Sequence, residues 1–161
     1  MDCTVSKILY CTDLSQNAVY AFKHATYLAK MTKAEIHILH VVVELPSDAK
    51  VAIQSYMISS KGRHDLLEAR EETARAHLDK CHDDFFNDLP EEDQAVRKQI
   101  KSINVIEAYP AEQILKSSVK LGCDLIVMGA HEKGLTHTFL GSVAKSVLRR
   151  SRIPTLIVPL P

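Results

Sequence analysis

A stretch near the C-terminus holds the residues whose types and spacing best suit anion binding. Gly129 directly follows an apolar run, and the pair Gly141-Ser142 stands where a helical pattern begins. Glycine lets a phosphate approach the backbone, a helix N-terminus offers unpaired N–H groups, and a serine hydroxyl adds a donor. Two interpretations stay open on this pattern alone. One is a phosphate cradle, and the other is a surface loop with glycines at its turns and a capping serine.

Two familiar phosphate-binding motifs are excluded. Gly129 and Gly134 have the glycine spacing of a P-loop, but Leu135 occupies the position of the P-loop lysine. The sequence has no Gly-x-Gly-x-x-Gly, so the dinucleotide-binding fingerprint is absent. Any nucleotide site in this chain must therefore follow another pattern.

The histidines and nucleophilic residues do not form a recognisable catalytic or metal-binding set. His131 and His137 lack an evident third ligand, so the sequence predicts no metal site. His40, at the end of a predicted strand, is interpreted as a packed, hydrogen-bonded histidine. No order of serine or cysteine with histidine and a carboxylate suggests a nucleophile, and we predict no catalytic residue.

The elements that position these residues alternate between strand and helix. Ser15 is a candidate helix cap, Gly122 a helix-ending residue, and Gly62 a candidate interruption of a long helix-prone region. The pattern predicts an α/β fold: one domain over residues 1–161, with an open, doubly wound five-stranded parallel sheet and helices on both faces. The predicted strands cover 8–11, 34–43, 100–108, 123–128 and 154–159, and the predicted helices 17–31, 47–88, 111–121 and 141–150.

Three positions at strand ends are the places where such a sheet binds ligands. In open parallel sheets, ligands bind beyond the carboxyl ends of the strands. This rule selects Thr12-Asp13, Val41-Val42 and the loop after Met128. For Asp13, binding of a ligand and a capping role at the next helix are both open interpretations.

Composition narrows the function classes. The 161 residues carry 20 basic and 20 acidic side chains, and the chain has no basic excess with which to bind nucleic acid. No apolar stretch is long enough for a membrane span, and no signal peptide is evident. Four dispersed cysteines without CxxC spacing suggest free thiols in a reducing compartment. We expect a cytoplasmic protein.

Five stretches of the sequence together resemble the universal stress protein family over nearly the whole chain. They are similar to the family's opening strand and turn, the end of its second strand, its signature fourth strand, the exit of its phosphate loop and its closing strand. The stretches read ILYCTDLS (8–15), HVV (40–42), DLIVMGAH (124–131), LGSVA (140–144) and PTLIV (154–158).

The resemblance implies a regulatory protein that binds an adenine nucleotide, ATP or AMP, in a cleft at the carboxyl ends of the strands. Asp13 would accept from the adenine amino group, Thr12 would line the base pocket, and Val41 would bond the base through its backbone. Met128 and Gly129 would border the ribose and phosphates. The remaining implied site residues, which serve the phosphates or their loop, are His131, Gly134, Gly141, Ser142 and Val143.

The nucleotide-binding motif of the family, Gly-x2-Gly-x9-Gly-Ser/Thr, is matched with two differences. Glu132 stands at the position of the middle glycine, and eight residues rather than nine separate it from Gly141. A carboxylate next to a triphosphate repels it unless a metal such as Mg²⁺ or a cation such as Lys133 compensates. The alternative is a dimeric stress-response interaction protein without nucleotide, whose 47–88 region contacts partners. A nucleotidyl-transfer enzyme or hydrolase would need a carboxylate pair, for which only Asp13 and Glu132 are visible, so at most slow ATP hydrolysis is expected.

The last predicted strand suggests how two chains would associate. Prolines bracket residues 155–158, as suits a strand at the edge of a sheet. In the family this strand commonly pairs with its mate across a dimer axis, so the resemblance implies a homodimer through residues 154–158.

Overall fold

The computed structural model describes residues 4–56, 60–130 and 140–159. Within them the chain forms five strands, five α-helices and one 3₁₀ helix. The strands are β1 Lys7–Thr12, β2 Glu35–Val43, β3 Ile100–Ala108, β4 Leu125–Gly129 and β5 Thr155–Val158. The helices are α1 Gln16–Thr32, α2 Ser47–Tyr56, α3 Ser60–Asn87, α4 Pro110–Lys120 and α5 Ser142–Arg150, and the 3₁₀ helix covers Glu91–Gln99.

The five strands form one parallel sheet in the order β3-β2-β1-β4-β5. The predicted open, five-stranded parallel sheet is therefore confirmed, with β5 at an edge. β1 lies at the centre, and the chain adds β2 and β3 on one side before it crosses to β4 and β5 on the other. This reversal leaves a crevice between the carboxyl ends of β1 and β4, where open α/β sheets bind ligands.

The side chains of β1 divide the core into two layers, as alternation along a strand requires. Ile8 and Tyr10 belong to a cluster with α1 and α3, whereas Leu9 and Cys11 belong to a cluster with α4 and α5. All four side chains are buried. Helices thus cover both faces of the sheet, as predicted.

Small side chains bring α1 close to the sheet. Ala18, Ala21 and Ala25 are buried on its inner face, and the hydroxyl of Tyr10 donates to the carbonyl oxygen of Ala18 over 2.6 Å. Ser15 caps the helix, as predicted, because its Oγ accepts from the backbone N–H of Ala18 at 3.2 Å. The start of α1 is therefore held firmly next to the end of β1.

A carboxylate ties the start of β1 to the segment before β4. Asp124 Oδ2 accepts from the backbone N–H of Ser6 at 2.8 Å and from that of Lys7 at 2.9 Å. Asp124 also donates its own N–H to the carbonyl oxygen of Lys7. Two segments more than 115 residues apart are joined at this point.

The region between β2 and β3 differs from the sequence prediction. Gly62 does not interrupt a helix, because it lies in the first turn of α3, where a glycine costs less than in a helix centre. The described helices of this region are α2, which ends at Tyr56, and α3, which begins at Ser60. The 3₁₀ helix over Glu91–Gln99 was not predicted. Val96 is the one residue of this helix that is buried.

The 28-residue helix α3 is fastened to the strand ends by charged side chains. Arg70 pairs with Glu107 at 3.1 Å and donates to the carbonyl oxygen of Val43 at 2.9 Å. Glu71 Oε1 accepts from the backbone N–H of Glu107 at 3.1 Å.

Among the helices that the structure describes, none is long and apolar enough to cross a membrane.

Candidate functional site

A cavity of about 420 Å³ opens at the carboxyl edge of the sheet, over the ends of β1, β2 and β4 and the start of α5. It lies where the reversal of strand order predicts a ligand site. Its volume falls within the range of small-molecule sites. The predicted site residues that line it are Thr12, Asp13, Val41, Met128, Gly129, Gly141, Ser142 and Val143. Of the predicted set, His131 and Gly134 lie outside the described residues, as do Glu132, Lys133 and His137.

The turn after β1 is held by a series of local hydrogen bonds. Thr12 Oγ1 accepts from the N–H of Leu14 at 3.0 Å, and Asp13 Oδ1 accepts from that of Ser15 at 3.0 Å. Ser15 is the helix cap, so Asp13 supports the turn without capping α1 itself. Leu14 has a φ of 63°, a left-handed conformation that is uncommon outside glycine. The turn therefore presents the exposed Asp13 carboxylate at the rim of the cavity.

His40 fixes the carbonyl group at the end of β1. Its Nδ1 lies 2.8 Å from the backbone oxygen of Thr12, and the two residues are register partners in β1 and β2. Because a carbonyl oxygen only accepts, Nδ1 carries the proton and donates it to Thr12. The interpretation of His40 as a packed, hydrogen-bonded histidine agrees with this contact.

Apolar side chains that sequence reasoning did not select form much of the cavity wall. Leu39 and Val43 of β2 lie on either side of Val41, and Pro110 and Ile114 of α4 contribute the facing side. Alternation along β2 would have found the first pair, because residues 39, 41 and 43 must share one face. Pro110 and Ile114 could be identified only from the tertiary structure, because no local sequence pattern places α4 against β2.

Cys11 also lines the cavity, but it is not a nucleophile. The residue is buried, and burial raises the pKa of its thiol far above the usual range. Reactive cysteines need a lowered pKa, so this thiol stays protonated and acts as a small apolar wall group.

The opposite end of the cavity is formed by β4 and the start of α5. Gly141 is the N-cap of α5, and Ser142 and Val143 form its first turn. The N–H of Gly141 donates to the carbonyl oxygen of Ala130 at 2.7 Å, so the helix start is tied to the end of β4. A helix N-terminus in this place favours a negatively charged group.

The cavity thus combines two kinds of surface. Leu39, Val41 and Ile114 offer an apolar wall for a flat ring, and the turn at Asp13 offers polar groups at its edge. The start of α5 offers the positive end of a helix dipole for an anion. Within 4–56, 60–130 and 140–159, no three histidine, cysteine or carboxylate side chains come together as a metal site.

Comparisons with known proteins identify relatives over almost the full length of the chain. The model of the universal stress protein family matches residues 4–159. Universal stress protein MJ0577 of Methanocaldococcus jannaschii is 31% identical over 159 residues, which is 98% of this chain and 97% of that protein. A solved structure of MJ0577 gives a TM-score of 0.66 at 27% identity over 98% of each chain.

Two further solved structures share the fold. Universal stress protein UspA from Lactobacillus plantarum gives a TM-score of 0.71 at 21% identity over 98% of this chain and 99% of that one. A universal stress protein in complex with cAMP gives 0.65 at 20% identity over 96% and 97%. At these identities the likeness concerns the fold alone.

Proposed function

The chain belongs to the universal stress protein family, and from this we propose that it is a regulatory protein that binds an adenine nucleotide, ATP or AMP. The observation that carries the proposal is the cavity at the carboxyl edge of the sheet. Four segments that are distant in sequence meet there, at residues 12–13, 41, 128–129 and 141–143. A shape that accepts a ring at one end and an anion at the other suits a nucleotide.

The adenine ring would occupy the apolar part of the cavity. Val41 and Ile114 offer an apolar surface against which the faces of the adenine ring would pack. Thr12 and Asp13 lie where they would hydrogen-bond the polar atoms at the edge of the ring. The Asp13 carboxylate accepts hydrogen bonds only, which suits the exocyclic amino group of adenine.

The phosphates would lie at the start of α5. Gly141, Ser142 and Val143 are the residues proposed to lie against them, at the positive end of the α5 dipole and with the serine hydroxyl as a donor, while the N–H of Gly141 stays bound to the carbonyl oxygen of Ala130. Mg²⁺ is a candidate counter-ion for the triphosphate. A universal stress protein with this fold has been solved in complex with cAMP, which supports a phosphorylated adenine nucleoside as the ligand class.

A regulatory role is favoured over catalysis. Among the described residues that line the cavity, Asp13 is the one carboxylate, and it is engaged by the N–H of Ser15. A positioned base and a metal-binding carboxylate pair would be needed for fast phosphoryl transfer. Nucleotide binding would instead shift the equilibrium between two conformations of a surface that a partner recognises.

The test begins with the purified protein, which is denatured so that released nucleotide is identified by chromatography and mass spectrometry. Titration calorimetry then compares ATP, AMP and GTP. Asp13→Ala is expected to weaken the binding of adenine nucleotides. The matched control is Asp84→Ala, which changes an exposed carboxylate on α3. Protein that releases no nucleotide and binds neither ATP nor AMP at millimolar concentration would refute the proposal.

A second candidate function is partner binding at a groove between α2 and α3. The groove has a volume of about 750 Å³, and α2 has no fully buried residue. Its apolar lining and its carboxylates suit a basic amphipathic segment. The apolar residues are Leu45, Ile53, Leu66 and Leu67, and the carboxylates are Glu44, Glu68, Glu71 and Glu107.

This second function is tested with a labelled amphipathic Leu/Lys peptide by fluorescence anisotropy. Binding should fall with rising salt and be lost in Leu67→Lys, while the exposed Glu72→Lys outside the groove is the control. Equal anisotropy for both variants would exclude the groove.

We propose that the protein is a homodimer through the edge strand β5. Carbonyl oxygens of Pro154 and Val158 accept from β4, so the alternating backbone groups of Thr155 and Ile157 point away from the sheet. Such an unpaired edge is a template for a second strand.

A further inference from the structure

Asn17, in the first turn of α1, is buried in an unusual way. The residue is 5% exposed, and among the described residues neither Oδ1 nor Nδ2 of its carboxamide has a hydrogen-bond partner. Buried amides are nearly always paired, because an unpaired one loses its hydration without compensation. An apolar side chain would fill the same place without this penalty, so packing alone does not account for asparagine.

The carboxamide of Asn17 lies against the backbone of Gly129. A Cβ atom added at Gly129 would come within 2.8 Å of Asn17 Nδ2 and 3.2 Å of Asn17 Cγ. Contacts under 3.0 Å do not occur for real Cβ atoms, so one of the two residues would have to move.

The two core clusters show on which face of β4 a side chain at position 129 would lie. Val127 belongs to the core cluster that contains α1, and Met128 belongs to the opposite cluster and lines the cavity. Because side chains alternate along a strand, a side chain at position 129 would point towards α1 and away from the wall formed by Met128. The missing Cβ at Gly129 therefore makes room for Asn17 and not for a ligand.

We propose that Asn17 is a positioning residue of the cavity, whose carboxamide packs against the end of β4 and disfavours a Cβ atom at position 129. A bound nucleotide would lie against Gly129, and Asn17 would act on it through that residue. The inference rests on the proposed nucleotide binding for its functional consequence, while the contact itself concerns the fold.

The experiment is a double-mutant cycle with two readouts, the melting temperature and the affinity for ATP and AMP. Gly129→Ala should lower the melting temperature and weaken nucleotide binding about tenfold or more, since overpacking displaces the strand end. Asn17→Ala removes the obstacle, so Asn17→Ala/Gly129→Ala should recover both readouts to near those of Asn17→Ala alone. Asn104→Ala/Gly129→Ala, which shortens an asparagine on β3 instead, is the matched control and should not recover.

Each outcome decides the proposal. A double variant that binds as weakly as Gly129→Ala means that the ligand itself requires glycine, and it overturns the inference, as does a Gly129→Ala that behaves like wild type. If Gly129→Ala does not fold, recovery of folding by Asn17→Ala and not by Asn104→Ala supports the contact, and failure of both refutes it. Failure of the wild type to bind nucleotide refutes the proposed function alone, because the coupling of melting temperatures still tests the contact.

Discussion

His82 should make the protein less stable as the pH falls from 7 to 5. Its ring is 7% exposed and stacks on Phe22 with centroids 4.9 Å apart and planes at 23°. Within the part of the chain that the structure describes, neither ring nitrogen of His82 has a hydrogen-bond partner. Burial, which disfavours the charged form, lowers the pKa of His82 from 6.5 to about 4, although the carboxylates of Asp79 and Asp83 act in the opposite direction.

The size of the effect follows from the two pKa values. The folded-state pKa lies below the unfolded-state value, so between pH 6.5 and 4 the unfolded chain binds more protons than the folded one. Stability is then full above pH 6.5 and is lost as the pH falls towards 4. For one group with these pKa values, linkage gives a loss of about 2 kcal/mol in the free energy of unfolding between pH 7 and pH 5.

The assay is urea denaturation at pH 7, 6 and 5 without nucleotide. The wild type is compared with His82→Phe, which keeps the aromatic packing and removes the titration, and with His82→Leu in case the larger ring is not accommodated. His77→Gln, an exposed histidine of the same helix, is the matched control. His37, whose pKa is also lowered by burial, stays in every variant and cancels in the comparison.

The expected result is a fall of unfolding free energy between pH 7 and 5 that is smaller in both His82 variants than in the wild type, by about 2 kcal/mol. His77→Gln should follow the wild type. If the His82 variants lose as much stability as the wild type does, then His82 is not held neutral by burial, and the reasoning is wrong.

Three further results are expected. Ser15→Ala should lower the free energy of unfolding by about 1 kcal/mol in urea denaturation, because it removes the α1 cap, whereas Ser55→Ala within α2 should change it little. Leu78→Ala should cost about 2–5 kcal/mol in the same assay, since Leu78 is 1% exposed in the core between α3 and the sheet. Thr155→Pro should halve the mass in light scattering with unchanged circular dichroism if β5 pairs across a dimer; an unchanged mass would exclude this interface.

Most of the strands were predictable because they carry a strong local signal, whereas the signal of the segment that forms β3 is weaker. The run of β-branched residues over 34–43 and the apolar run that ends at Met128 have few other interpretations, and Gly122 takes the left-handed conformation expected after a helix. The prediction that Gly62 interrupts a helix was wrong, because glycine costs little in the first turn of α3.

The candidate site was predictable to the extent that strand ends define it. Thr12 and Gly129 end their strands and Val41 lies near the end of β2, so the topology alone brings these residues to one cavity. Ile114 and Asn17 were missed because their places depend on how helices pack across the sheet. Asn17 in particular looks like an ordinary residue of a helix start, and only its buried, unpaired amide distinguishes it.

The central place of β1 has a consequence during synthesis on the ribosome. One neighbour, β2, follows within 23 residues of the end of β1, but the other, β4, begins only at Leu125. At about 5–20 residues per second, the ribosome reaches the first residue of β4 roughly 6–23 s after the last residue of β1. During that time the wholly buried Leu9 has no β4 beside it and Asp124 has not yet closed the strand, so the nascent chain exposes an apolar strand edge. Protection of that edge by the ribosome surface or a chaperone would matter more for this fold than for one whose first strand lies at the rim of the sheet.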